Sequence, residues 1–137
     1  MDKSRFLNLN SRILVVDDNE SDRLVIRAML TKLGFQKPDE AEDGAIAKLK
    51  VAGAQSQGQP YDIVFVDWAM PILDGLKLLK LIKMDDSISD PIVIMTTGKS
   101  AAADVQEALD AGVSDYIVKP ISVDILQSKL VKFVRKR

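Results

Sequence analysis

The sequence predicts an α/β fold, a (βα)5 doubly wound parallel five-stranded sheet, and three observations carry that prediction. Short apolar runs without polar alternation, at 13–16, 63–66 and 92–95, match strands buried on both faces. Stretches with helical apolar spacing stand between them, and turn residues separate the two kinds of segment. Strands alternating with helices through short turns call for right-handed crossovers, which lay helices on both faces of the sheet.

Residues 1–11 are polar, with Phe6, Leu7 and Leu9 as their packing side chains, and read as a lead-in arm before a single domain at 12–137. The first strand, Ile13–Val16, runs into Asp17-Asp18-Asn19-Glu20. Asn19 or Ser21 caps the first helix, where Ile26, Met29, Leu30 and Leu33 face inward and Gly34 is the stop. The weakly apolar segment 35–42 carries Pro38 and suits an edge strand. Asp43-Gly44 turns into a helix with Ile46 and Leu49 inward, fading near Gly53, and 54–60 reads as a polar surface loop.

The central strand Ile63–Val66 runs directly into Asp67. Pro71 and Asp74-Gly75 mark the next turn, Leu78, Leu81 and Ile82 the inward face of the third helix, and Asp85-Asp86 its solvated end. The run at 92–95 ends in Thr96-Thr97-Gly98-Lys99, and Val105, Ala108 and Leu109 follow at helical spacing, with Gly112 as the cap. The fifth strand, Asp115–Val118, leads into Lys119-Pro120. Leu126, Leu130 and Phe133 give the closing helix its buried face, and Arg135-Lys136-Arg137 complements its dipole.

Composition narrows the chemistry. Nineteen Lys and Arg against twenty Asp and Glu leave a formal charge of −1, so the overall field favours neither nucleic acid nor a membrane as partner. No stretch approaches a membrane span and residues 1–10 lack a signal-peptide core, so the expectation is a soluble, cytoplasmic protein. With no Cys and no His, thiolate chemistry, imidazole bases and His-ligated zinc are absent from the chain.

What remains gathers at the strand ends. Taken alone, Asp67 fits a turn or a helix cap. Asp17, Asp18, Asp67, Thr97 and Lys119, however, all follow strands at the carboxyl edge, where open α/β sheets place their ligand sites. Three carboxylates brought that close repel one another, and a divalent cation removes the conflict. An all-oxygen donor set suits Mg²⁺, with a hydroxyl and an ammonium opposite to hold phosphoryl oxygens and Asp67 as the nucleophile.

These residues resemble a known family. The strings at 13–18, 66–71 with Asp74-Gly75, 95–98 and 116–120 are similar to receiver domains of two-component response regulators, chemotaxis receivers of the CheY type above all. The resemblance covers 12–134 and implies the flavodoxin/CheY-like strand order 2-1-3-4-5. It implies that Asp67 accepts a phosphoryl group from a histidine kinase or histidine phosphotransfer protein. Asp18, Asp67 and the backbone carbonyl of Ala69 would then ligate Mg²⁺, with Asp17 acting mainly through water. Lys119 would pair with the carboxylate and later with the phosphoryl, and Lys119-Pro120 would be cis.

The resemblance further implies that Thr97 is the switch hydroxyl and Tyr116 the aromatic that moves inward with it. The partner face would then be the fourth helix, fifth strand and fifth helix. Ala69 and Lys99 depart from the amide or acidic side chains many members carry there. Ala69 cannot orient an attacking water and Lys99 could contact the phosphoryl, so self-dephosphorylation is expected to be slow. The expected protein is a stand-alone chemotaxis or phosphorelay regulator, a phosphoacceptor rather than an enzyme. The alternatives are a receiver excised from a larger regulator or hybrid kinase, a phosphorylation-independent interaction module, and a small phosphohydrolase.

Overall fold

A computed structural model describes residues 7–133. Five strands form one parallel sheet in the order β2-β1-β3-β4-β5. They are β1 (Ile13–Val16), β2 (Asp39–Ala41), β3 (Ile63–Val66), β4 (Ile92–Thr97) and β5 (Asp115–Val118). The helices between and after them are α1 (Glu20–Lys32), α2 (Gly44–Ser56), α3 (Gly75–Met84), α4 (Ala102–Asp110) and α5 (Val123–Leu130), the last extended by a 3₁₀ turn at Val131–Phe133. The fold class and strand order expected from sequence are both present.

Alternation along the strands divides the core into two layers. Ile13, Val15, Ile63, Phe65 and Ile94 pack with Ile26 and Leu30 of α1 and Leu126 of α5. Leu14, Val16, Val64, Val66 and Met95 pack with α2, α3 and α4 through Val51, Leu78, Leu79 and Ala108. Every residue of β1, β3 and β4 is buried, as unalternating apolar runs require.

Side-chain oxygens cap four of the helices: Asn19 receives the Asp22 N–H, Asp43 that of Ile46, Asp74 that of Lys77 and Ser122 that of Ile125. Beyond α1 and α4, Gly34 and Gly112 take φ of 95° and 100°, the left-handed stops their positions predicted.

Several expectations need correction. Asp43 starts α2 at Gly44, which puts Ala47, Val51 and Ala54 inward and leaves Leu49 on the solvent face, 73% exposed. The helix passes Gly53 and continues to Ser56, so Ala54 belongs to the core rather than to a surface loop. Leu81 and Leu109 are also exposed, whereas β4 finishes at Thr97, the polar strand end that was expected.

Leu7 is buried, its N–H donating to the Phe133 carbonyl at 2.7 Å, so the segment before β1 packs against the end of the fold. The edge strand β2 covers only Asp39–Ala41, and Gln36 before it bonds elsewhere. Its backbone N–H goes to Leu9 O at 3.1 Å, and its side-chain amide to the carbonyls of Asn10 and Ser11. Phe6 and the basic run at 135–137 lie outside the described residues.

Candidate functional site

The register of the central strands builds the site. Val16 pairs with Val66 across β1 and β3, so the next residues, Asp17 and Asp67, emerge side by side, and Asp67 N–H donates to Val16 O at 2.9 Å. Alternation turns both side chains toward the layer covered by α1 and α5. Asp17, Asp18 and Asp67 each offer an oxygen within 4.8 Å of the others. Asp17 and Asp67 are buried, whereas Asp18 is exposed.

Lys119, two strands away on the loop after β5, reaches into this group. Its Nζ donates to Asp17 Oδ2 at 2.8 Å and to Asp22 Oδ2 at 2.9 Å, and lies 3.5 Å from Asp67 Oδ2. The Lys119–Pro120 peptide is cis, as expected. Burial works to lower the ammonium's pKa, but the hydrogen bonds to Asp17 and Asp22 outweigh it and hold the group above its ordinary value.

Asp67 shows the opposite balance. Burial pushes its carboxyl up to about 6; Lys119 offsets part of that, while Asp17 and Asp18 add repulsion. One ammonium therefore does not neutralise the gathered charge. Three convergent carboxylates, an all-oxygen donor set, suit a hard divalent ion such as Mg²⁺. Asp17 already has both oxygens engaged, Oδ1 by the Asn19 N–H at 2.9 Å and Oδ2 by Lys119, which leaves Asp18 and Asp67 the freer donors.

The loop after β3 is shaped by a close approach and a strained turn. Gly75 N–H donates to Trp68 O at 2.8 Å, and a Cβ on Gly75 would stand 2.1 Å from the Asp67 carbonyl oxygen. Within the loop, Ile72 adopts φ 70°, unusual for a β-branched residue, and Leu73 N–H closes onto Pro71 O at 2.8 Å. Ala69 lies exposed on this loop, two residues past Asp67.

Thr97 and Tyr116 converge on the backbone of Lys99. Thr97 Oγ1 accepts the Lys99 N–H at 3.2 Å, and the Tyr116 hydroxyl donates to the Lys99 carbonyl at 2.7 Å. Both side chains are buried, so Tyr116 is already inward. The Lys99 ammonium lies 4.6 Å from the centre of the Trp68 ring, a cation–π contact that occupies the cation expected to face the phosphoryl.

Every residue expected at the carboxyl edge is at that edge. The one missed is Asp22. Its signal was present, an acidic residue on the first turn of the helix that follows Asp17-Asp18, but in that position it reads as a partner for the helix dipole.

Comparison with known proteins gives this geometry its class. The family model for the response regulator receiver domain matches residues 13–131, and the chain belongs to that family. Within it the likeness is to chemotaxis regulators. Chemotaxis protein CheY-3 of Vibrio cholerae serotype O1 is 37% identical over 132 residues, spanning 95% of this chain and 96% of that protein.

Among solved structures, the CheX-CheY-BeF3-Mg²⁺ complex from Borrelia burgdorferi matches with a TM-score of 0.80 and 28% identity, over 91% of this chain and 90% of that one. The receiver domain of the sensor histidine kinase PA1611 from Pseudomonas aeruginosa PAO1 matches with a TM-score of 0.75 and 31% identity, over 90% and 97% of the two chains. That structure carries a magnesium ion coordinated in its active-site cleft.

Proposed function

We propose that this chain is a phosphoacceptor switch of chemotaxis or phosphorelay type, phosphorylated on Asp67 by a histidine kinase or histidine phosphotransfer protein. The observation that carries the reading is the meeting of Asp17, Asp18 and Asp67 with Lys119 at one sheet edge. Mg²⁺ held by Asp18, Asp67 and the Ala69 carbonyl, and by Asp17 through water, would supply charge neutralisation for the incoming phosphoryl. The ionised Asp67 oxygen attacks phosphorus, a P–O bond forms, the donor's P–N bond breaks, and the imidazole leaves with its electron pair.

Lys119 and the Thr97 hydroxyl then hold phosphoryl oxygens. Ala69 offers no hydrogen bond to an attacking water, so the adduct hydrolyses slowly. Engagement of Thr97 and Tyr116, which share the Lys99 backbone, shifts the population of conformations on the α4-β5-α5 face. Leu109, Val118 and Ile125 leave exposed apolar carbon on those elements, which supports a protein as the output partner. Nothing in the charge balance calls for nucleic acid. Among the described residues no helix is long and apolar enough to cross a membrane, and we place the regulator in the cytoplasm beside its phosphodonor.

The test is direct. Incubation with Mg²⁺ and a small phosphodonor, followed by intact mass, should give one base-labile adduct on the wild type and none on Asp67→Asn. An unlabelled wild type, or equal labelling of the variant, overturns the reading.

A further inference from the structure

Lys119 is held by a residue that belongs to none of the three carboxylates at the strand ends. Its ammonium has three protons to donate. Two are taken at 2.8 and 2.9 Å by Asp17 and Asp22, while Asp67 makes only a longer ion pair at 3.5 Å. Asp22 is fixed by the start of α1, where its own N–H donates to Asn19 Oδ1 at 3.0 Å. It therefore holds Lys119 from the helix side, at a shorter distance than Asp67 does.

The two holds differ in kind. The Asp17 side chain is almost wholly buried and tethered by the Asn19 N–H, whereas that of Asp22 is 42% exposed and can exchange the ammonium for water. We propose that Asp22 is a positioning residue that holds Lys119 back from Asp67, so that phosphoryl capture requires the Asp22–Lys119 pair to open. This rests on the phosphoacceptor reading and adds to it a fourth carboxylate that sets how readily the lysine is released.

Removing the hold has two opposite consequences. Lys119, freed toward Asp67, competes better with a cation at the three carboxylates, and one nearby negative charge is gone, so Mg²⁺ binds more weakly. Once Mg²⁺ is saturating, the same freed ammonium and the same lost repulsion favour an anionic phosphoryl mimic. Ion pairs with a solvated partner shift such equilibria by up to about fivefold.

Trp68, buried and adjacent to Asp67, provides a fluorescence signal for titrating Mg²⁺ alone and then beryllofluoride at saturating Mg²⁺. The expected result for Asp22→Asn is Mg²⁺ affinity about threefold lower and beryllofluoride affinity about three- to fivefold higher. Asp22→Glu, which keeps the charge and the reach, should return both toward wild type. Unchanged affinities in Asp22→Asn, or a fall in both together with a lower urea midpoint, overturn the proposal, the second outcome marking Asp22 as merely structural. A wild type that binds Mg²⁺ but no beryllofluoride overturns the phosphoacceptor reading itself, and this inference with it.

Discussion

The two ends of the sheet handle charge in opposite ways. At the amino end, polar groups are matched. Arg12 N–H donates to Asp62 at 2.7 Å, its guanidinium pairs with Asp39 at 3.2 Å and lies 4.9 Å from the centre of the Tyr61 ring, and the Tyr61 hydroxyl donates to Asp39 at 2.6 Å. Asp115, at the start of β5, is held by Lys129, Lys132 and the Tyr116 N–H. At the carboxyl end, three carboxylates meet one ammonium, Ile72 holds a strained φ, and the Thr96 hydroxyl, buried at the end of β4, has no hydrogen-bond partner.

The difference separates a structural edge from a functional one. The amino end ties an edge strand and a loop to β1 and leaves its charges paired. The carboxyl end keeps an excess of negative charge that a cation would relieve, at a standing cost in stability.

Titration exposes the contrast most strongly. Asp67 is pushed above its ordinary 3.8 to about 6. Its contribution to stability is therefore fully present below about pH 4 and is lost as pH rises through 6. Asp115 runs the other way: burial works to raise it, but Lys132, the Tyr116 N–H and Lys129 outweigh that and hold it below the usual carboxylate range. Its contribution is present at neutral pH and is lost as pH falls through the folded-state value.

Metal-free Asp67→Asn should therefore be more stable than wild type at pH 7, by on the order of 2 kcal/mol, with little difference left at pH 4. Urea midpoints at the two pH values, repeated at pH 7 with Mg²⁺, check this. Mg²⁺ should stabilise the wild type more than the variant. An equal gap at both pH values would break the contrast between the two edges.

Tyr61→Phe sharpens the other side. Burial and the hydrogen bond to Asp39 hold the Tyr61 phenol above its ordinary pKa, so its proton stays on the oxygen and donates. Losing that donor should cost about 1 kcal/mol, read from the urea midpoint, with Mg²⁺ affinity unchanged. The smallest effect is expected at Ile72, which is 83% exposed. Ile72→Gly relieves the positive φ but adds freedom to the unfolded chain, so a net gain of roughly 0.5 kcal/mol is expected, measured in the same way.

Much of this was legible along the chain because it is local. Unalternating apolar runs gave the buried strands, Asn19 an N-cap, Gly34 and Gly112 the stops, and polar residues after strands the edge where the site lies. Leu49 was misplaced because the reading followed the largest apolar side chains, whereas the face of α2 that packs on the sheet is lined by the smaller Ala47, Val51 and Ala54. Leu7 was legible as a packing side chain, but not where it packs, because the backbone it bonds to, at Phe133, stands at the other end of the described chain.

The sequence by itself determined which residues stand at the carboxyl edge, since strand ends, caps and turns follow from near neighbours. Only the tertiary structure decided how the chemistry is balanced. Lys119 is 102 residues from Asp17 and 97 from Asp22, and sheet order, register and the seat of α1 bring them within 3 Å. Separations of that length carry no local signal, so the structure alone shows that the lysine rests on Asp17 and Asp22 and stands off from Asp67.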